Sequence, residues 1–169
     1  MVAIRGVGVS SGVGVSSRIG FGPHEIDTDA PTRSARLKWV IVVNKDLSPG
    51  LAVNAAVCAA AATSAQVTGL LGGDAVDVDG NTHPGLPWIG CSVLVTDAVT
   101  LRDIRAKAAA HPETFVADMP AIAQQTRVYN EFLASVGATA AEDFEYYAVS
   151  IVGPRNRVDR LVGRLGLLP

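Results

Sequence analysis

Two apolar runs limit what this chain can fold into. Tyr147 to Pro169 (YAVSIVGPRNRVDRLVGRLGLLP) joins a strand-like stretch to a Gly-Pro hinge and a short basic segment. Trp39 to Leu47 (WVIVVNKDL) opens on a continuous apolar run, β-branched after its first residue. Such a run reads as a central strand covered on both faces, because an alternating pattern would expose one face to water. Covering both faces takes helices on two sides, which is the layered α/β arrangement.

The intervening sequence supplies those layers. Ser48-Pro49 is an N-cap followed by Pro at the first helical position, and an Ala-rich helix runs to about Val67. Ala55, Ala56, Ala59, Ala60, Ala61 and Ala62 let it approach the sheet closely, with Leu51 and Val57 as its larger contacts. A second strand is expected at Ser92–Thr96, and a helix from about Thr100 to a stop at His111-Pro112. A third strand follows at Thr114–Asp118. Pro120 to about Val136 reads as one helix, with Tyr129, Phe132, Leu133 and Val136 on its apolar stripe. Glu145–Val152 closes the set, followed by a helical turn or two. The expected fold is a compact α/β sandwich with a mixed sheet of about four strands.

Length and charge narrow the class further. A chain of 169 residues, 49% apolar and 18% charged, is an ordinary globular composition. The net charge of −2 provides no global basic field, so nucleic acid is not an expected partner. No apolar run approaches the roughly 18 to 20 residues of a membrane span, and the first residues lack a signal peptide's apolar core. The expected location is cytoplasmic. Cys58 and Cys91 stand apart without a Cys-x-x-Cys, so they read as two reduced, half-buried thiols. Residues 1–36 form a Gly/Ser-rich arm ahead of a domain at 37–169. The arm carries GVGVSS twice, from Gly6 to Ser17. Its glycines resist ordering, although the alternating Val could form an edge strand. They do not spell G-x-G-x-x-G, and no other cofactor motif is present.

Polar groups in open α/β sheets gather where strands end and helices begin. Lys45, Asp46, Asn54, Thr96, Asp97 and Asp118 are therefore the candidates for a site. Asp46 also reads as a turn or capping carboxylate, and Asp118 as the cap of the helix that follows it. Asn54, on a helix expected to face the sheet, must find partners. Arg155 is the best-placed cation of the basic segment, since its fork can grip an anion. Asp74, Asp77, Asp79 and His83 lack the spacing of a calcium loop and read as a solvated turn, so no metal site is assigned.

Val40–Leu47 and Val149–Leu168 resemble the first strand and the closing strand and tail of the type II peptidyl-tRNA hydrolase fold. From Leu37 to Pro169 the chain is similar to an uncharacterised bacterial family catalogued as a domain of unknown function, through Asp46-Leu47, Pro49, Asn54 and Gly153 to Asp159. The first resemblance implies a cleft with Asp118 near the position of an acidic catalytic residue. The basic Gly-Lys-Gly-Lys loop of the tRNA enzymes is replaced by Pro49-Gly50-Leu51-Ala52-Val53, which cannot hold an RNA phosphate. Two functions stay open. One is a small-molecule or partner-binding module. The other is hydrolysis of a peptidyl or aminoacyl ester or amide, with Asp118 and Asn54 as catalytic groups and Lys45, Asp46 and Arg155 holding substrate. A homodimer through the arm or a sheet edge is expected in either case.

Overall fold

The order of the sheet follows from one strand that cannot face water. In the computed structural model, which describes residues 19–169, strand β1 (Leu37–Asn44) is buried at every position except the half-buried Lys38. It pairs antiparallel with β6 (Tyr146–Pro154) and parallel with β4 (Ser92–Thr96). The edge strand β5 (Phe115–Pro120) continues the sheet beyond β6, and β7 (Gly166–Leu167) continues it beyond β4. The sheet thus has five strands in the order β5-β6-β1-β4-β7. The fifth is a two-residue strand in the closing tail, too short to show a period in sequence. A separate two-stranded hairpin, β2 (Ala75–Val76) and β3 (Thr82–His83), surrounds the Asp77 turn. There Asp77 Oδ1 accepts the Asp79 and Asn81 backbone N–H groups.

Helices cover both faces. Trp39, Ile41 and Val43 point toward α1 (Pro49–Gln66) and pack with Ala52 and Ala55. Val40 and Val42 point the other way, toward Leu101 and Ile104 of α2 (Ala98–Ala109) and Val158 and Val162 of α5 (Arg155–Val162). The period of two along β1 therefore sorts its residues into two cores. The long helix expected at 120–136 is two helices, α3 (Ala121–Gln125) and α4 (Tyr129–Gly137). Thr126 and Val128 between them take extended backbone. The stripe of Tyr129, Leu133 and their neighbours is not core, for α4 buries none of its residues.

α1 reverses the expectation for its larger residues. Its buried positions are Ala52, Ala55, Ala59 and Thr63, whereas Leu51, Val53 and Val57 are exposed. The cause is a polar relay. Trp39 Nε1 donates to Ser150 Oγ at 2.9 Å, Ser150 Oγ lies 2.7 Å from Thr63 Oγ1, and Thr63 Oγ1 donates to the Ala59 carbonyl at 2.7 Å. Indole nitrogen only donates and the Thr63 proton is committed to Ala59, so Ser150 donates to Thr63. All three side chains are buried. Only a helix face of small side chains comes close enough for Thr63 to reach the sheet.

The segment before β1 also packs on this layer. Phe21 is buried and donates its N–H to the Thr68 carbonyl at 2.9 Å. Gly20 lies against Thr68 so closely that a Cβ there would collide with the Thr68 hydroxyl. Arg36 fastens the segment, donating to the Gly20 carbonyl at 2.6 Å and to Glu25 Oε2 at 3.0 Å, with its guanidinium over the Phe21 ring. The GVGVSS repeat lies outside the described residues.

Ser150→Ala leaves the buried Trp39 N–H without an acceptor and is expected to cost roughly 1–3 kcal/mol in urea unfolding, while Thr63→Val, which orphans no N–H, costs less. The Arg36 guanidinium and the Gly22 N–H hold Glu25 at about 2, below its ordinary 4.5. A lowered carboxylate contributes stability above its unfolded value and loses it as pH falls through the folded one. The thermal stability of the wild type should therefore exceed that of Glu25→Gln at pH 6, and the gap should close between about pH 4.5 and 2. A gap independent of pH would contradict the ion pair.

Candidate functional site

The edge strand β5 brings the site together. Its residues alternate, with Phe115 and Met119 packing on the α1 side and Val116 on the α2 side. Asp118 shares the side of Val116 and meets Arg105 of α2, whose Nε donates to Asp118 Oδ2 at 3.0 Å. The Arg105 guanidinium also stands 5.5 Å from the centre of the Tyr146 ring. The pair is partly screened, with side chains 38% and 22% exposed. The register shifts between Met119 and Pro120, β5 ends, and α3 begins. Asp118 caps nothing, because the α3 cap position is Pro120 and no side chain bonds there. This corrects the expected capping role. A β5 carboxylate facing α2 finds a guanidinium 13 positions earlier in the chain, a pairing without a local signature.

Two hollows flank α4 above this ion pair. One, of about 440 Å³, is lined by Cys58 of α1 and by Met119, Ala123, Thr126, Arg127, Val128 and Tyr129. The other, of about 350 Å³, is walled by Arg105, Val136, Phe144 and Tyr146. Asp118, Pro120 and Phe132 border both, so the hollows form one cleft divided by the Phe132 ring. Its lining carries two guanidinium groups and one carboxylate. Arg105 is spent on Asp118, whereas Arg127 is exposed and has no ion-pair partner among the described residues.

Asn54 does not line this cleft; it stands one turn before Cys58 on α1. It lies on the exposed side of α1, not facing the sheet as expected, and its Oδ1 accepts from Gln124 Nε2 of α3. Cys58, one turn further along α1, is likewise exposed and not half-buried. Both corrections share a cause. The small residues occupy the sheet-facing side, so everything else on α1 turns outward.

The other candidates lie elsewhere. Lys45 and Asp46 form an exposed pair with each other at 2.8 Å after β1, and neither lines the cleft. The Lys45 N–H is bonded to the Thr96 carbonyl at 2.8 Å. Asp97 caps α2 by accepting the Thr100 N–H at 2.9 Å, and that bond and the Thr100 hydroxyl lower its pKa. Arg155 follows β6 at the end of the sheet opposite Asp118, as the registers Leu37↔Pro154 and Phe115↔Val152 require. Its Nε and Nη2 donate to the Ala35 and Thr32 carbonyls, both at 3.1 Å. These two bonds tether the segment before β1. Sequence reasoning did not reach Arg105, Arg127 or Gln124. The α4 stripe was the available signal, and it reads equally as core.

Helices on both sides of a mixed sheet, with a cleft at one edge strand, make this an α/β sandwich. The chain belongs to the DUF2000 family of proteins of unknown function, whose family model matches residues 37–169. It is similar in fold to the solved structure of a protein of unknown function from Agrobacterium tumefaciens strain C58. That likeness has a TM-score of 0.73 at 16% identity and covers 79% of this chain and 98% of that one. No curated protein matches at a significant level. Among the described residues, no helix is long and apolar enough to cross a membrane.

A double-mutant cycle of Arg105→Ala and Asp118→Ala, read by urea unfolding, is expected to give a coupling of about 1 kcal/mol or less, because both side chains are partly solvated. A coupling above about 3 kcal/mol would indicate a desolvated pair instead.

Proposed function

We propose that this protein is a binding module for small monoanionic amphiphiles, carboxylates with an apolar tail, on a peptidyl-tRNA hydrolase-like fold without the basic loop. The observation that carries this reading is the charge arrangement of the cleft. Arg105 pairs with Asp118 and leaves the exposed Arg127 guanidinium in a lining shared with Met119, Val128, Tyr129 and Phe132. A guanidinium binds a carboxylate through paired N–H donors. The apolar lining then takes the tail, as in most small-molecule sites.

Hydrolysis is the second reading, supported by Asp118 lining the cleft, with Asn54 one turn along α1 from its Cys58 wall. Against it stands the chemistry of the groups. Asp118 Oδ2 already accepts from Arg105 Nε, and among the described residues no histidine lines the cleft. Pro49, Gly50 and Leu51 at the start of α1 offer no cation to a tRNA phosphate.

Thermal-shift titration separates the readings. Hexanoate and 4-phenylbutyrate should raise Tm, their neutral amides should not, and Arg127→Ala should abolish the response. Peptidyl-tRNA turnover by the wild type that disappears in Asp118→Ala and Asn54→Ala would establish the hydrolase and overturn the binding module.

A further inference from the structure

The two hollows lie on opposite faces of the sheet edge. The first takes Cys58 from α1 and Met119 from the side of β5 that packs on α1. The second takes Arg105 from α2, and Phe144 and Tyr146 from the core on the α2 side. A path from one to the other therefore bends round the end of β5 beneath α4. Asp118, Pro120 and Phe132 stand where they meet. Asp118 and Pro120 belong to β5 and form the edge itself, whereas Phe132 is the residue that α4 contributes to both hollows. Its half-buried ring packs against that of Tyr129, centre to centre at 5.5 Å. Tyr129 lines the first hollow and Val136, one turn beyond Phe132, lines the second, so α4 roofs both with Phe132 as the partition.

We propose that Phe132 is a specificity-determining residue that sets the length of apolar tail the cleft accepts. This rests on the reading of the cleft as a site for carboxylate amphiphiles. A carboxylate held by Arg127 starts its tail in the first hollow, because Arg127 lines that hollow and not the second. The tail crosses Met119 and Val128 and stops at the Phe132 ring. Beyond the ring, Val136, Ala141 and Phe144 leave apolar surface around about 350 Å³ that a blocked tail cannot reach. A methylene buried there adds roughly fourfold in affinity, whereas one halted at the ring stays in water and adds little. An alkyl chain is flexible enough to follow the bend round β5. The charges it passes, Arg105 and Asp118, are already paired with each other at 3.0 Å.

Isothermal titration calorimetry with hexanoate, octanoate and decanoate reads the accepted length directly. The ratio of decanoate to hexanoate affinity should rise at least about tenfold from wild type to Phe132→Ala, with four methylenes at roughly fourfold each as the upper bound. Phe132→Leu should fall between the two, and it keeps the test open if the alanine variant does not fold. Val136→Trp added to Phe132→Ala should return the ratio toward the wild-type value, because the indole occupies the second hollow. Arg127→Ala should weaken all three carboxylates alike, since they share a head group. Arg127-dependent hexanoate binding with one and the same ratio in wild type, Phe132→Ala and Phe132→Leu would overturn the partition and leave the anion site standing. Absence of Arg127-dependent binding by any of the three acids would overturn both.

Discussion

The hydrogen-bonded line from Trp39 through Ser150 and Thr63 to the Ala59 carbonyl sets the distance between the sheet and α1. Each group is buried, so each needs a partner, and the partners come from β1, β6 and α1. An amide-strength bond adds only about 1 kcal/mol net, but leaving one of these donors unpaired costs more than that. The relay therefore acts as a positional constraint more than a source of stability. Three elements far apart in sequence agree on one register or the interior holds an orphaned N–H.

The consequences run outward through α1. To bring Thr63 to Ser150 the helix must lie close, and a close helix can present only Ala and Thr to the strands. The larger aliphatic residues are displaced to the opposite side, which gives α1 an apolar outer face. The same rotation puts Asn54 and Cys58 on the flank that borders α3 and the cleft. Interior packing and the composition of the outer surface are thus one constraint seen from two sides.

At the edge of the sheet the controlling interaction is the pairing of Asp118 with Arg105. Among the described residues, β5 has a neighbour on one side only, and α4, which buries none of its residues, leaves hollows on both flanks. Among the described residues, the ion pair engages the one carboxylate that lines the cleft and leaves the Arg127 cation in its lining without an ion-pair partner. The family to which the chain belongs has no assigned reaction, so the chemistry of these side chains is what defines the site.

The run at Val40–Val43 specified a strand covered on both faces, and Ser48-Pro49 marked the start of α1, because burial, period and cap chemistry are local properties of sequence. The strand-helix alternation and the closing strand near Val149 were legible for the same reason. The amino acids alone did not fix which side of α1 meets the sheet, since an Ala-rich helix has almost no amphipathic contrast and the deciding contact is a hydroxyl pair 87 positions apart. They did not divide α3 from α4, because neither Gly nor Pro marks the break at 126–128. They did not unite Asp118 with Arg105 or turn Arg155 into a tether, for those partners depend on which strand ends lie at which end of the sheet. Local pattern determined the elements. Strand order and the reach of a few buried polar groups decided which of their faces could become a site.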